Sequence, residues 1–267
     1  MIAAPPPLRV LGRREQRAMF WRSMLLQGAW NFEGMQNLGF LYAIEPGLAR
    51  AHPDPARRRQ AAFRHLGFFN TQPHMAGFAL GACLAMEEGV AAAPDGPAAE
   101  AAAERLERVK RALGSALAAL GDPFFWGTLK PATAAFTLLA WTLLWTLGLP
   151  APFFWGCAAG LAVFNAPALW TRWAGPRLGY EQGEALPIEL KRNRWHERAR
   201  WVRLSGLAAA LAVCAAAMAV PPLGGTPSLW NAAALVGAVA LRAKGVPTLR
   251  TYLAAAVLLG LASAAGR

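Results

Sequence analysis

Residues 121–171 read GDPFFWGTLKPATAAFTLLAWTLLWTLGLPAPFFWGCAAGLAVFNAPALWT, and this stretch decides the class of fold. From Pro131 to Thr171 it holds no charged residue, enough for two membrane-spanning helices parted near Pro150-Ala151-Pro152. Its head is different. Gly121 to Pro131 packs Asp122 and Lys130 among Phe124, Phe125 and Trp126. Gly121 and Pro123 flank the acid, so a break in the helix is expected there. A charge within or beside a hydrophobic layer is costly unless it is paired or lines a polar cavity. Broken backbone at that depth is tolerated only when buried in protein or lining a cavity. Residues 121–131 are therefore the first candidate for a functional site.

Composition widens the membrane reading to the whole chain. Of 267 residues, 55% are hydrophobic and only 16% charged, against about 25% charged in an ordinary soluble domain. Eleven tryptophans fit a protein with membrane–water interfaces. The formal charge of +12 is spread over short connections between apolar spans, which the positive-inside rule explains better than nucleic-acid binding. Cys83, Cys157 and Cys214 each stand alone in apolar surroundings and read as small buried hydrophobes. His52, His65, His74 and His196 have no second ligand at helical spacing, so no metal site is expected. The chain shows no Walker A loop, Gly-x-Ser-x-Gly or His-Glu-x-x-His, and no cofactor is expected. The start, MIAAPPPLRVLGRREQ, lacks the order of a cleaved signal peptide.

Working outward, three regions are expected: 1–62, 63–131 and 132–267. The first holds an amphipathic arm from Arg9 to Asn31, its arginines facing an anionic leaflet or a partner protein. Trp30 to Phe40 follows, studded with uncharged polar groups including Asn31, Glu33 and Gln36, and Glu45-Pro46-Gly47 is expected to turn the chain. In the second region, 66–86 is broken at Asn70-Thr71-Gln72-Pro73-His74 and resumes with Gly77 and Gly81 on one face, where helices can approach closely. A solvated charged helix at 100–111 leads to a second broken segment, 113–130. The third region carries spans at about 132–149, 152–170, 204–220, 229–241 and 251–265, with a basic loop over 172–203. Alternating basic and neutral turns place the N-terminus in the cytoplasm and the C-terminus outside.

Four blocks together carry a resemblance: Gln27 to Gln36 (QGAWNFEGMQ), Phe69 to Met75 (FNTQPHM), Leu80 to Glu88 (LGACLAMEE) and Leu120 to Pro131 (LGDPFFWGTLKP). Gly179 to Gly183 (GYEQG) is a weaker fifth. In this order the sequence resembles the IID component of the mannose/fructose/sorbose-family sugar phosphotransferase system over about residues 14–184. The resemblance implies an all-α polytopic subunit of the bacterial inner membrane that pairs with a IIC subunit to form the path for a hexose. It implies a soluble IIAB partner that carries the phosphoryl chemistry, so that this chain is not itself an enzyme. It further implies a trimer of IIC–IID heterodimers in which a core moves against a scaffold. The sequence departs from the family where Lys130 stands in place of the usual Arg, where 91–100 is Ala/Pro filler, and in a shortened C-terminal third.

On this basis Asn70, Thr71, Gln72, His74 and Asp122 are expected to line or buttress the polar cavity. Trp126 offers a face to the sugar ring, and Lys130 neutralises Asp122 or Glu33. Asn31, Glu33 and Gln36 are secondary candidates. The bland alternative is that these residues tie broken helix ends together. A IID-like assembly subunit that has lost sugar handling is the rival function, followed by an unrelated membrane enzyme using His74 and Asp122.

Overall fold

Among the described residues every regular element is helical. A computed structural model of the chain describes residues 10–192, 195–219, 236–241, 246–247, 250–251 and 253–257. The helices are α1 (Arg13–Ser23), α2 (Asn37–Ala51), α3 (Pro55–His65), α4 (Ala76–Ala92), α5 (Pro97–Phe124), α6 (Lys130–Thr146), α7 (Pro152–Gln182), α8 (Leu186–Arg192) and α9 (Trp195–Ala219). A π turn, Phe125–Leu129, joins α5 to α6, and a 3-10 turn, Gly183–Ala185, joins α7 to α8. The chain divides into two units, one of Met1–Thr133 with Leu161–Leu204, the other of Ala134–Gly160 with Ser205–Arg267.

The first unit is organised around α4, whose residues are buried almost end to end. Its small residues explain how. A Cβ on Gly81 would fall 1.9 Å from the Pro176 carbonyl oxygen of α7, and one on Gly179 of α7 would fall 2.0 Å from that of Phe78. Gly77 and Gly175 meet the same limit, so the expected small-residue face of α4 is real and its partner is α7. On its other sides α4 packs Leu80 and Leu84 into a core with Phe40, Ile44 and Leu48 of α2 and Leu113 and Leu117 of α5. The apolar face of α1, Met19 and Phe20, is covered by this same unit, α1 packing on α2 and α4. The N-terminal arm is therefore shorter than expected, and its apolar side faces its own chain.

Two expected breaks are absent, each for a visible reason. Pro46 does not end α2, which runs on to Ala51. The proline leaves the Tyr42 carbonyl without its helical donor, and Arg22 Nη1 donates to that oxygen at 3.1 Å and to Glu45 at 2.9 Å. Likewise α5 passes through Asp122 and Pro123 and continues by way of the π turn into α6. Just past the proline the helix widens into that π turn, where Thr128 Oγ1 donates to the Pro123 carbonyl at 2.9 Å. Gly121 is there for contact rather than for a break: a Cβ would lie 2.4 Å from Gln72 Cγ and 2.8 Å from Met75 Sδ.

The expected basic loop at 172–203 is likewise helical, built from the end of α7, α8 and the start of α9. The runs Pro152–Leu190 and Trp195–Ala216 are long and apolar enough to cross a membrane, and only 17% and 11% of their apolar windows are buried. That exposure is unlike a soluble core helix and suits a lipid environment. In the second unit Gly156 and Gly160 let α7 lie against Trp141 and Thr137 of α6. Of the spans expected at 229–241 and 251–265, only 236–241, 251 and 253–257 are described, and all are helical; the remainder lies outside the described residues.

Candidate functional site

The segment before α4 is held by amides. Gln36 Nε2 donates to the Thr71 carbonyl at 2.9 Å, and Gln36 Oε1 accepts from the Thr71 N–H at 3.0 Å. One buried side chain thus stands in for a neighbouring strand. Around it, Asn31 Oδ1 accepts from the Glu33 and Gly34 amides, and Asn37 Nδ2 donates to the Leu66 carbonyl at 2.6 Å. Met35 takes a left-handed φ of 57° and bridges Asn31 on one side and Phe69 on the other. Asn31 and Gln36, expected as secondary site residues, are thus the frame of this loop. Glu33 and Asn70 are exposed.

The next three residues face the other candidate stretch. Gln72 lies on Gly121, and its Oε1 accepts from the His74 N–H at 2.7 Å. The His74 ring stands 4.7 Å from Phe125, 5.8 Å from Trp126 and 5.6 Å from Phe164 of α7. Arg172 Nε donates to His74 Nδ1 at 3.3 Å and Arg172 Nη1 to the Ser23 carbonyl at 2.6 Å, so one guanidinium ties α1, α7 and the loop together. Thr71 Oγ1 and Gln72 Nε2 are buried without a hydrogen-bond partner. Buried polar atoms are usually paired, which makes two in succession notable.

Thr71, Gln72, His74 and Trp126 are brought together, but the charged candidates are not. Asp122 is exposed, and among the described residues neither it nor Glu33 forms an ion pair. Lys130 does not neutralise either acid; its Nζ sits 5.7 Å from the centre of the Trp126 ring, a cation–π distance. Trp126 itself is 45% exposed and lies nearly parallel to Phe164.

At the far end of α4 is a cluster that the sequence reading missed. Glu87 is fully buried and accepts from Arg64 through two contacts (3.1 and 2.9 Å), from His65 Nε2 at 3.0 Å, and pairs with His52 Nε2 at 2.7 Å. Burial alone would raise its carboxyl, but the hydrogen bonds from His52, His65 and Arg64 outweigh it and hold the group far below the usual carboxylate range. Burial lowers His65, which stays neutral as the donor to Glu87. Lys110, expected on a solvated helix face, is buried; its Nζ donates to the His65 carbonyl at 3.1 Å and stands 4.6 Å from the Phe40 ring. Burial pushes its ammonium down to about 8. Next along α4, Glu88 accepts from the Val10 amide at 2.8 Å and from the Tyr180 hydroxyl. The only sequence signal for this cluster was the acid pair itself, closing an apolar helix. Among the described residues no three His, Cys, Asp or Glu side chains come together as metal ligands.

Comparison with known proteins joins these features. A family model described as the PTS system mannose/fructose/sorbose family IID component matches residues 10–216. The mannose-specific EIID component of Escherichia coli (strain K12) is 40% identical over 177 residues, which are 65% of this chain and 57% of the relative. The chain thus spans well under two thirds of that relative's length. The sorbose-specific EIID component of Klebsiella pneumoniae is 35% identical over 190 residues, 71% of this chain and 65% of the relative. A solved structure described as the mannose transporter ManYZ in complex with microcin E492 superposes with a TM-score of 0.55 at 28% identity, covering 96% of this chain and 97% of that one. With the family model matching the chain from Val10 through α9, the protein belongs to the mannose/fructose/sorbose family of phosphotransferase-system IID components.

Proposed function

We propose that this chain is the IID membrane subunit of a mannose-type sugar phosphotransferase system, forming with a IIC subunit the path by which a hexose crosses the bacterial inner membrane. Phosphoryl transfer to the sugar is assigned to a soluble IIAB partner. The chain passes the membrane several times with its N-terminus in the cytoplasm and its C-terminus outside, and assembles as a trimer of IIC–IID heterodimers. Family membership supports this reading, as does the name of a structural neighbour, the mannose transporter ManYZ.

The observation that carries the site is the meeting of residues 71–74 with 121–126. Thr71 Oγ1 and Gln72 Nε2 are buried and unpaired, suited to the hydroxyl groups of a sugar, and the half-exposed Trp126 offers an aromatic face beside them. His74, boxed by three aromatic rings, orients that wall. Asp122 rims the site from solvent rather than lying in its interior. The test is uptake and binding of labelled hexose by the chain assembled with IIC and IIAB, comparing Gln72→Ala with the parent. Weaker binding with intact assembly is expected; parent-level binding and uptake would remove residues 71–74 from the sugar path.

A further inference from the structure

A groove between α1 and α7 combines features that neither the sugar path nor the fold requires. It is a cavity of about 640 Å³ whose walls include Arg13, Arg17, Arg177, Trp170 and Trp173. Among the described residues Arg13 and Arg17 form no ion pair, and both are exposed. Arg177 pairs with Glu181 at 2.7 Å, so three arginines face a single carboxylate. The groove is built rather than incidental: Gln16 Nε2 donates to the Trp173 carbonyl at 3.0 Å, and Phe20 packs edge-on against the Trp173 ring. Trp170 and Trp173 are 49% and 44% exposed. They stand in the long apolar run Pro152–Leu190, with Arg177 one helical turn past Trp173 in α7. Tryptophan followed by arginine at the end of an apolar helix marks the membrane–water interface.

We infer that this groove binds the headgroup of an anionic phospholipid, its phosphate between Arg13, Arg17 and Arg177 and its glycerol and upper acyl carbons against Trp170 and Trp173. The charge balance selects the ligand. A guanidinium forks onto phosphate oxygens, and the uncompensated positive charge favours a headgroup with no cation of its own. A zwitterionic lipid would bring an ammonium group into the same field. The aromatic walls select a lipid over a free anion, since inorganic phosphate has nothing to lay on an indole face. Bound there, the lipid would pin α1 to α7 at the membrane surface.

Native mass spectrometry of the IIC–IID complex, released from micelles doped with phosphatidylglycerol or phosphatidylcholine, reads the occupancy directly and does not depend on whether sugar moves. One retained phosphatidylglycerol per chain is expected, with phosphatidylcholine held less. Arg13→Gln with Arg17→Gln should weaken that occupancy by about 30-fold, taking the usual contribution of a basic residue near an anionic headgroup for each. Arg58→Gln with Arg59→Gln on α3, an equal loss of charge elsewhere, should leave it at the parent level. Where the double variant assembles poorly, Arg17→Gln alone serves, because that side chain is exposed and forms no ion pair among the described residues. Equal losses in the two double variants would overturn the site, as would equal retention of both lipids. Displacement of the lipid by millimolar inorganic phosphate would give the groove to a soluble anion instead. Retention unchanged by any substitution would also overturn it, placing the bound lipid elsewhere on the complex.

Discussion

The two ends of α4 present opposite solutions to the same problem of burying polar groups. Ahead of its first turn, Thr71 and Gln72 bury a hydroxyl and an amide nitrogen without partners, beside an exposed indole and a histidine boxed by rings. Near its last turn, both oxygens of the Glu87 carboxylate are occupied by Arg64, His52 and His65, and Lys110 closes the cluster from α5. A carboxylate with both oxygens held fixes the position of helices, although His52 Nδ1 and His65 Nδ1 behind it are buried without partners; an unpaired hydroxyl and amide beside a half-exposed indole leave bonding capacity for something else. The C-terminal end of α4 is therefore the anchor, and the N-terminal end is the site proposed to receive the sugar.

The sharpest way to break this contrast is to cut into the anchor. Glu87→Ala leaves Arg64 and Lys110 as buried cations without their acid, and a loss of about 3–5 kcal/mol is expected. It would be read as a large fall in the thermal midpoint of the purified chain, with Glu87→Gln falling less. If Glu87→Ala unfolds like the parent, the cluster is not an anchor. The same cluster predicts acid sensitivity. His65 is held below its ordinary 6.5 by burial, so the unfolded chain takes up a proton there while the folded chain does not. Stability should fall as pH drops below 6.5. Glu87, held below its ordinary 4.5, adds a further loss as pH falls through that value. A midpoint flat from pH 7 to 5 would contradict the assignment of His65 as the neutral donor.

How much of this was legible in the sequence follows from the range over which each constraint acts. Gly77 and Gly81 were readable as a close-packing face because four-residue spacing is local, but their partners Gly175 and Gly179 come from a helix far along the chain. The meeting of 69–75 with 121–131 was legible as two polar segments in apolar surroundings, and Gln72 against Gly121 is the contact that joins them. The break at Asn70 to His74 stands between α3 and α4, but those expected at Pro46 and Pro123 do not form, because the rule for proline concerns a helix in isolation. Arg22, far upstream in the sequence, supplies the donor that Pro46 lacks, and α5 carries Pro123 without stopping before it widens into the π turn. The Glu87 cluster was invisible for a related reason: its pairs lie 22, 23, 35 and 45 residues apart on four helices or their ends, with no spacing that a single helix would impose. Lys110 in particular looked like one more charge on a solvated face.

Smaller effects sharpen the receiving end. Gln36→Ala removes the partner of both Thr71 backbone groups, and about 1–3 kcal/mol is expected for a buried group left unpaired. Because Gln36 positions the loop without facing the solute, stability and sugar binding should fall together. Trp126→Ala should separate them. The ring is half-exposed and carries little of the core, so the midpoint should move little while sugar affinity falls several-fold, the scale of a lost aromatic face. A Trp126 variant that binds sugar normally would leave the pocket without its apolar wall.

The smallest expected effect tests whether the site extends to Asp122. Asp122 is exposed and forms no ion pair among the described residues, and Lys130 lies over the Trp126 ring instead. Surface substitutions without partners usually stay within about 0.5 kcal/mol, so Asp122→Asn should leave the thermal midpoint where it was. Its uptake is the informative number. A carboxylate at the rim can still accept hydrogen bonds from an entering sugar in both directions that an amide offers in only one, so a two- to three-fold fall in uptake is expected at that scale of interaction. Unchanged uptake would confine the site to the neutral groups Thr71, Gln72, His74 and Trp126. A fall as large as that of Trp126→Ala would instead move Asp122 from the rim into the path, and the contrast between the two ends of α4 would then include a buried charge at each.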